Sequence, residues 1–324
     1  MVSRLLAVML ALPACAPGVV DSPTVDKART LSTEVDGNRV FSDIEALAAL
    51  HAKDSRVDCA GLNTKADTWC NLTNTAARTF VSDRLRSLGM TPELDTIDTH
   101  PATTNVLAEL RGTSKPDEVI LVGAHFDAFF MGADDNSSGV AVMLEVARLL
   151  ATRPLARTVR FVGFDHEEIG LVGSTRHVKS KARPKASLVF DCVGYADDAA
   201  GSQGSLPGFP TPSAGNFLAA IANDVSRPQV EQVLQTEGGK SGIPVLAIIA
   251  PGLGAGPLSG NLMRSDHAPF WLAGESAVFF TDTANFRNKN YHTRQDTPDT
   301  LSRPFLTGAA KAAVMSVVAW GDAP

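Results

Sequence analysis

The chain has no long run of one charge, no low-complexity block and no internal repeat. It also lacks a basic patch with interleaved aromatics, and its formal net charge of −6 is thinly spread, so no nucleic-acid partner is expected. Two common hydrolase signatures are missing. There is no G-x-S-x-G elbow to present a serine nucleophile, and Ser137 and Ser138 lie in an acidic turn. His166-Glu167 opens like the one-zinc H-E-x-x-H motif, but position 170 is glycine and the second histidine is absent. No apolar stretch at the N-terminus is long enough to span a bilayer as a stable helix.

Cysteine is scarce, with four in 324 residues. Cys15 closes MVSRLLAVMLALPAC, which has one early arginine, a short apolar stretch and small residues, the make-up of a secretory signal. Leu12 to Cys15 resembles a bacterial lipobox, although Pro13 departs from the usual residue there. That reading expects residues 1–14 to be removed, Cys15 to be lipidated and residues 15–38 to form a tether. The other reading is ordinary cleavage near Ala14 or Ala16. Either way the protein is expected to be exported, to the bacterial cell envelope or the medium, and only the lipobox reading gives it a membrane contact, a lipid anchor at Cys15. Cys59 and Cys70 enclose a polar loop that a disulfide could hold in an oxidising compartment, contributing about 3 kcal/mol in the chain-entropy model. Two unpaired thiols are the alternative. Cys192 follows an apolar run and reads as a buried thiol.

What is present is a repeating alternation. EVILVGA, TVRFVGF, ASLVF and SAVFF are short runs with the composition of strands buried on both faces. TPELDTID and TTNVLAELRG alternate as strands do, whereas FSDIEALAALHA, AARTFVSDRLRSLGM, SSGVAVMLEVARLLA, PSAGNFLAAIANDV and RPFLTGAAKAAVMSVVAW carry helical spacing. This predicts an α/β fold, one catalytic domain over residues 39–324 with a mostly parallel central sheet flanked by helices. Residues 197–262, rich in Gly, Pro and Ser, are expected to supply long loops more than sheet.

Ligands of open α/β sheets bind beyond the carboxyl ends of the strands, so the residues just past each run matter. His125 and Asp127 follow EVILVGA; Asp165, His166, Glu167 and Glu168 follow TVRFVGF; Asp191 follows ASLVF. His292 lies beyond SAVFF, and Asp134 and Asp135 stand where a helix begins. Any one of these has a plain explanation: an aspartate before a helix is usually a cap. Together, histidines and carboxylates without thiolate suit zinc or a similar divalent ion in an open site. His51, His100 and His177 read as surface histidines, and His267 either lines a cleft or is structural.

HFD, GADDNSSG, DHEEIGLVGS, FDCVGY, SDHA and YHTRQDT, in this order over about residues 100–305, resemble the co-catalytic zinc aminopeptidases of the bacterial leucyl-aminopeptidase type. The resemblance implies two zinc ions, one held by His125 and Asp191, the other by Glu168 and His292, with Asp135 bridging. It further implies that Asp127 hydrogen-bonds the His125 imidazole, that Asp135-Asn136 is a cis peptide, and that Glu167 is the general base acting on a water shared by the metals. The substrates would be peptides with a free N-terminus and the protein a monomer. The nearest rival is a glutaminyl cyclase with one zinc, although EEIGLVGS and DNSSG are uninterrupted here. A carboxypeptidase of the same fold and a catalytically silent peptide-binding lipoprotein are the remaining alternatives.

Overall fold

The apolar runs of the sequence pair with one another in a computed structural model that describes residues 23–52, 57–58, 69–70, 74–97, 102–254, 256 and 259–323. In chain order the helices are α1 (Pro23–Ser32), α2 (Gly37–His51), α3 (Thr75–Ser87), α4 (Gly139–Leu150), α5 (Val172–Ser180), α6 (Arg227–Glu237), α7 (Ala268–Leu272) and α8 (Arg303–Gly321). Strands β1 (Val57–Asp58) and β2 (Trp69–Cys70) form a small antiparallel ribbon. The other eight are β3 (Glu93–Ile97), β4 (Thr103–Leu110), β5 (Lys115–His125), β6 (Arg157–Phe164), β7 (Ala186–Phe190), β8 (Leu218–Asn223), β9 (Val245–Ala250) and β10 (Ala277–Thr281). They make one sheet in the order β3-β4-β6-β5-β7-β10-β8-β9. Pairs β5·β6, β5·β7, β7·β10 and β8·β9 are parallel, and β3·β4, β4·β6 and β8·β10 antiparallel.

Side chains that alternate along each strand feed two cores. Ile120, Val122, Val159, Phe161, Val278 and Phe280 face the layer holding α1, α2, α3, α4, α6 and α8. Leu121, Val162, Phe164 and Phe279 face the layer holding α5 and α7, with Phe270 and Trp271. The central strands are buried on both faces, as their unbroken apolar composition requires. Asp36 caps α2 by accepting from the Asn38 and Arg39 amides, and Ser302 caps α8 by accepting from Phe305. No described helix is long and apolar enough to cross a membrane.

Three expectations need correction. The tether does not extend to residue 38: from Pro23 the chain forms α1, which buries Ala28 and Leu31 and is tied to α8 by Lys27 and Asp322 at 2.7 Å. Few apolar residues are needed to seat a helix whose two contacts are both fully covered. PSAGNFLAAIANDV is not a helix: Leu218–Asn223 lies between β9 and β10, where pairing overrides the helical preference of alanine. Residues 197–262 therefore contribute β8, α6 and β9 to the sheet and its cover. The signal, Cys15 and Cys59 lie outside the described residues; for Cys70 only the strand, not the side chain, is described.

Candidate metal centre

Strands β6, β5, β7 and β10 lie side by side, so the segments beyond their ends meet at one rim. His125 is the last residue of β5, Glu167 and Glu168 come after β6, Asp191 comes after β7, and His292 stands in the loop beyond β10. Asp135 enters from the turn Ala133–Ser138 that leads into α4, and its peptide bond to Asn136 is cis. The donor atoms of His125, Asp135 and Asp191 lie within 4.8 Å of one another, as do those of Asp135, Glu168 and His292. Asp135 belongs to both groups. His125 Nε2 is 3.3 Å from Asp135 Oδ1 and 3.6 Å from Asp191 Oδ1, while His292 Nε2 is 2.9 Å from Asp135 Oδ2 and 3.0 Å from Glu168 Oε2.

These are approaches without hydrogen bonds. His125 Nε2, His292 Nε2 and Glu168 Oε1 are buried, yet none makes a hydrogen bond of acceptable geometry. Buried polar atoms are rarely left so. Donors aimed at common points, of the histidine and carboxylate type and with no thiolate, fit two divalent cations that share Asp135.

The electrostatics agree. Burial disfavours a charged His125, but Glu167, Asp127, Asp135 and Asp191 outweigh it and hold its pKa well above the usual histidine value. Burial likewise opposes the charged His292, and Glu168 with Asp135 pushes it up to about 10. Burial and the Asp135 charge lift Glu168 to about 7, against His292. Burial also drives Glu167 well up, with Asp191, Glu168 and Asp266 adding to it and His125 opposing. Protons thus hold the place that cations would take.

Asp127 meets the His125 imidazole, as the resemblance implies. Its main-chain oxygen, not its carboxylate, is the acceptor 3.0 Å from His125 Nδ1, and the carboxylate stands 3.5 Å off. The carboxylate instead receives the amides of Glu167 and Glu168 on its two oxygens, both at 3.1 Å. Around the rim His166, Cys192 and His292 adopt positive φ of 59°, 54° and 56°, a costly conformation for such residues and one that gathers at functional sites.

The model of peptidase family M28 matches residues 105–317, more than half of the chain, a span that includes His125, Asp127, Asp135, Glu167, Glu168, Asp191 and His292. The chain belongs to peptidase family M28. An uncharacterized protein, YfbL of Escherichia coli K12, is 33% identical over 219 residues, 61% of this chain and 65% of its own length; the alignments span less than two thirds of the curated relatives. A zinc aminopeptidase of Bacillus subtilis is similar in structure with a TM-score of 0.55 at 26% identity, covering 68% of this chain and 51% of its own. An aminopeptidase of Aneurinibacillus sp. AM-1 shares the fold at TM-score 0.67 and 15% identity, covering 92% and 96%. A glutaminyl cyclase of Porphyromonas gingivalis shares it at 0.60 and 18%, covering 87% and 98%.

Further carboxylates support this M28 site, and the strand-end reading named Asp134 and Asp165 among them but not Asp296 or Asp282. Asp296 accepts the amides of Asp134 and Asp135 at 2.9 and 3.1 Å and so fixes the bridging residue's backbone. Asp134 is not a cap: it accepts from Gly194 and Asn288, beside the buried Asp282. Asn136 does the capping, receiving the Gly139 amide at 3.1 Å. Asp266, in SDHA, is fully buried with neither oxygen hydrogen-bonded. Asp165 turns away to Asn74 and Thr104. His267 is structural, bonded to the Leu262 oxygen at 2.6 Å and stacked on Phe279. His51 and His177 are not surface residues: both are buried, His177 against Phe164 and Phe270. His100 lies outside the described residues. Cys192 is a buried free thiol, as its apolar approach suggested.

Proposed function

We propose that this chain is an aminopeptidase that binds two zinc ions and hydrolyses the N-terminal peptide bond of peptides. The observation that carries the reading is the pair of histidine/carboxylate groups sharing Asp135, with Glu167 buried beside them. His125 and Asp191 would hold one ion, Glu168 and His292 the other, and Asp135 both. Bound there, the ions would supply Lewis acidity toward a scissile carbonyl and an attacking water. Glu167, which is not in either donor group, takes the proton from that water and returns it to the leaving amine. Asp127 holds the Glu167-Glu168 main chain, so base and ligand keep a fixed relation. The surplus of carboxylates favours a protonated, free N-terminus on the substrate. We further propose that residues 1–14 direct export and that Cys15 carries a lipid, on the lipobox-like stretch.

The glutaminyl cyclase reading draws on the shared fold. Two complete donor groups speak for two ions over one. Metal analysis separates the readings: close to two zinc per chain supports the aminopeptidase, one favours the cyclase, and none leaves a silent binding protein. Aminoacyl-anilides with N-terminally blocked controls and glutaminyl peptides complete the test, and equal cleavage of blocked substrates refutes aminopeptidase action.

A further inference from the structure

A small pocket of about 40 Å³ opens between Asp191 and Tyr291. Asp191 is a donor of the centre, and the Tyr291 ring stacks on His292 with centroids 3.8 Å apart. Any substrate with its carbonyl at the centre therefore has a neighbouring part in this space. Leu206, Ile221, Leu262, Phe279 and Phe286 make most of its wall apolar. One lining residue is a cation, Arg264.

Arg264 is exposed, and its partners are neutral: Asn285 Oδ1 at 2.7 Å from Nη1 and the Tyr291 hydroxyl at 3.4 Å from Nη2. Among the described residues it has no carboxylate partner, whereas Arg84, Arg148, Arg153, Arg157, Arg160 and Arg227 each have one. The guanidinium is thus steadied over the cavity with donors to spare. A planar fork of this kind suits a carboxylate. A cation at this lip favours an anionic group beside it.

We propose that Arg264 is a specificity-determining residue that binds a carboxylate of the substrate, beyond an apolar portion lying in the cavity. This rests on the aminopeptidase reading. The carboxylate has two sources, the side chain of an acidic N-terminal residue or the C-terminus of a short peptide. Paired substrates separate them: glutamyl- against glutaminyl-anilide, and Leu-Leu against Leu-Leu-amide. In one pair the carboxylate member has a kcat/KM about tenfold higher, carried by KM, since a charged hydrogen bond is worth that much or more. Arg264→Gln brings that ratio close to one, and Arg264→Lys restores part of it. Ratios near one in both pairs for the unmodified protein, or a ratio that survives Arg264→Gln, overturn the assignment. Calorimetric titration of the same pairs into Glu167→Gln, which is expected to keep zinc and lose turnover, reads the ratio as Kd. A chain that hydrolyses no unblocked substrate sinks the aminopeptidase reading, while the Kd ratio still decides Arg264.

Discussion

The carboxylate of Asp127 receives the main-chain amides of both Glu167 and Glu168, each at 3.1 Å. Its own backbone oxygen meets Nδ1 of His125. One residue therefore ties the β5 ligand to the loop after β6, which carries the other ligand and the proposed base.

Replacing Asp127 loosens that tie without removing a donor. Asp127→Asn keeps one acceptor oxygen of two and turns the other into a donor facing an amide. Outer partners of metal ligands cost about 10- to 100-fold in activity or metal affinity when changed. Kinetics and metal analysis of Asp127→Asn are expected to show a loss in that range. A variant indistinguishable from the parent would mean that the loop holds its shape without this residue.

Zinc binding is expected to expel protons. Without metal, His292 is lifted to about 10 and so carries a proton at pH 7.5, and His125 is raised well above its usual value. Their raised pKa values mean protonation persists until the pH climbs through them, and ligation requires the neutral ring. Zinc added to chelated protein at pH 7.5 should release at least one proton per chain, read from the dependence of the binding enthalpy on buffer ionisation. Release of none would contradict the ligand roles given to the histidines.

Helix α1 is expected to be part of the folded unit. Leu31 is buried against the core with Ala28, and Leu31→Ala should cost roughly 2–4 kcal/mol by lost transfer energy and cavity formation. Urea unfolding measures it. A change below about 0.5 kcal/mol, the range of neutral surface substitutions, would restore the tether reading.

Three of the donors were legible because each comes at the end of an apolar run, and strand ends in a parallel sheet share a rim. His125, Glu168 and Asp191 are located this way without knowledge of the turns between. Asp296 was not, because it acts from an irregular loop that leaves no periodic trace, and Asp282, directly after β10, was passed over. Strand β8 was misread since LAAIAN has helix-forming alanines, and only its neighbours β9 and β10 decide its state. α1 was missed because a polar helix can be seated by two apolar residues. Arg264 lacks any local signal: its distinction is to line a cavity without an acidic partner, which only the fold can reveal.

The central claim is that two adjacent glutamates do different work, Glu168 holding metal and Glu167 moving protons. Zinc content and turnover of Glu167→Gln and Glu168→Gln, measured side by side, test it most directly. Glu167→Gln is expected to keep its zinc and lose turnover by about 100-fold or more, while Glu168→Gln loses zinc affinity itself. Equal loss of zinc in both variants, or full turnover in Glu167→Gln, would contradict it.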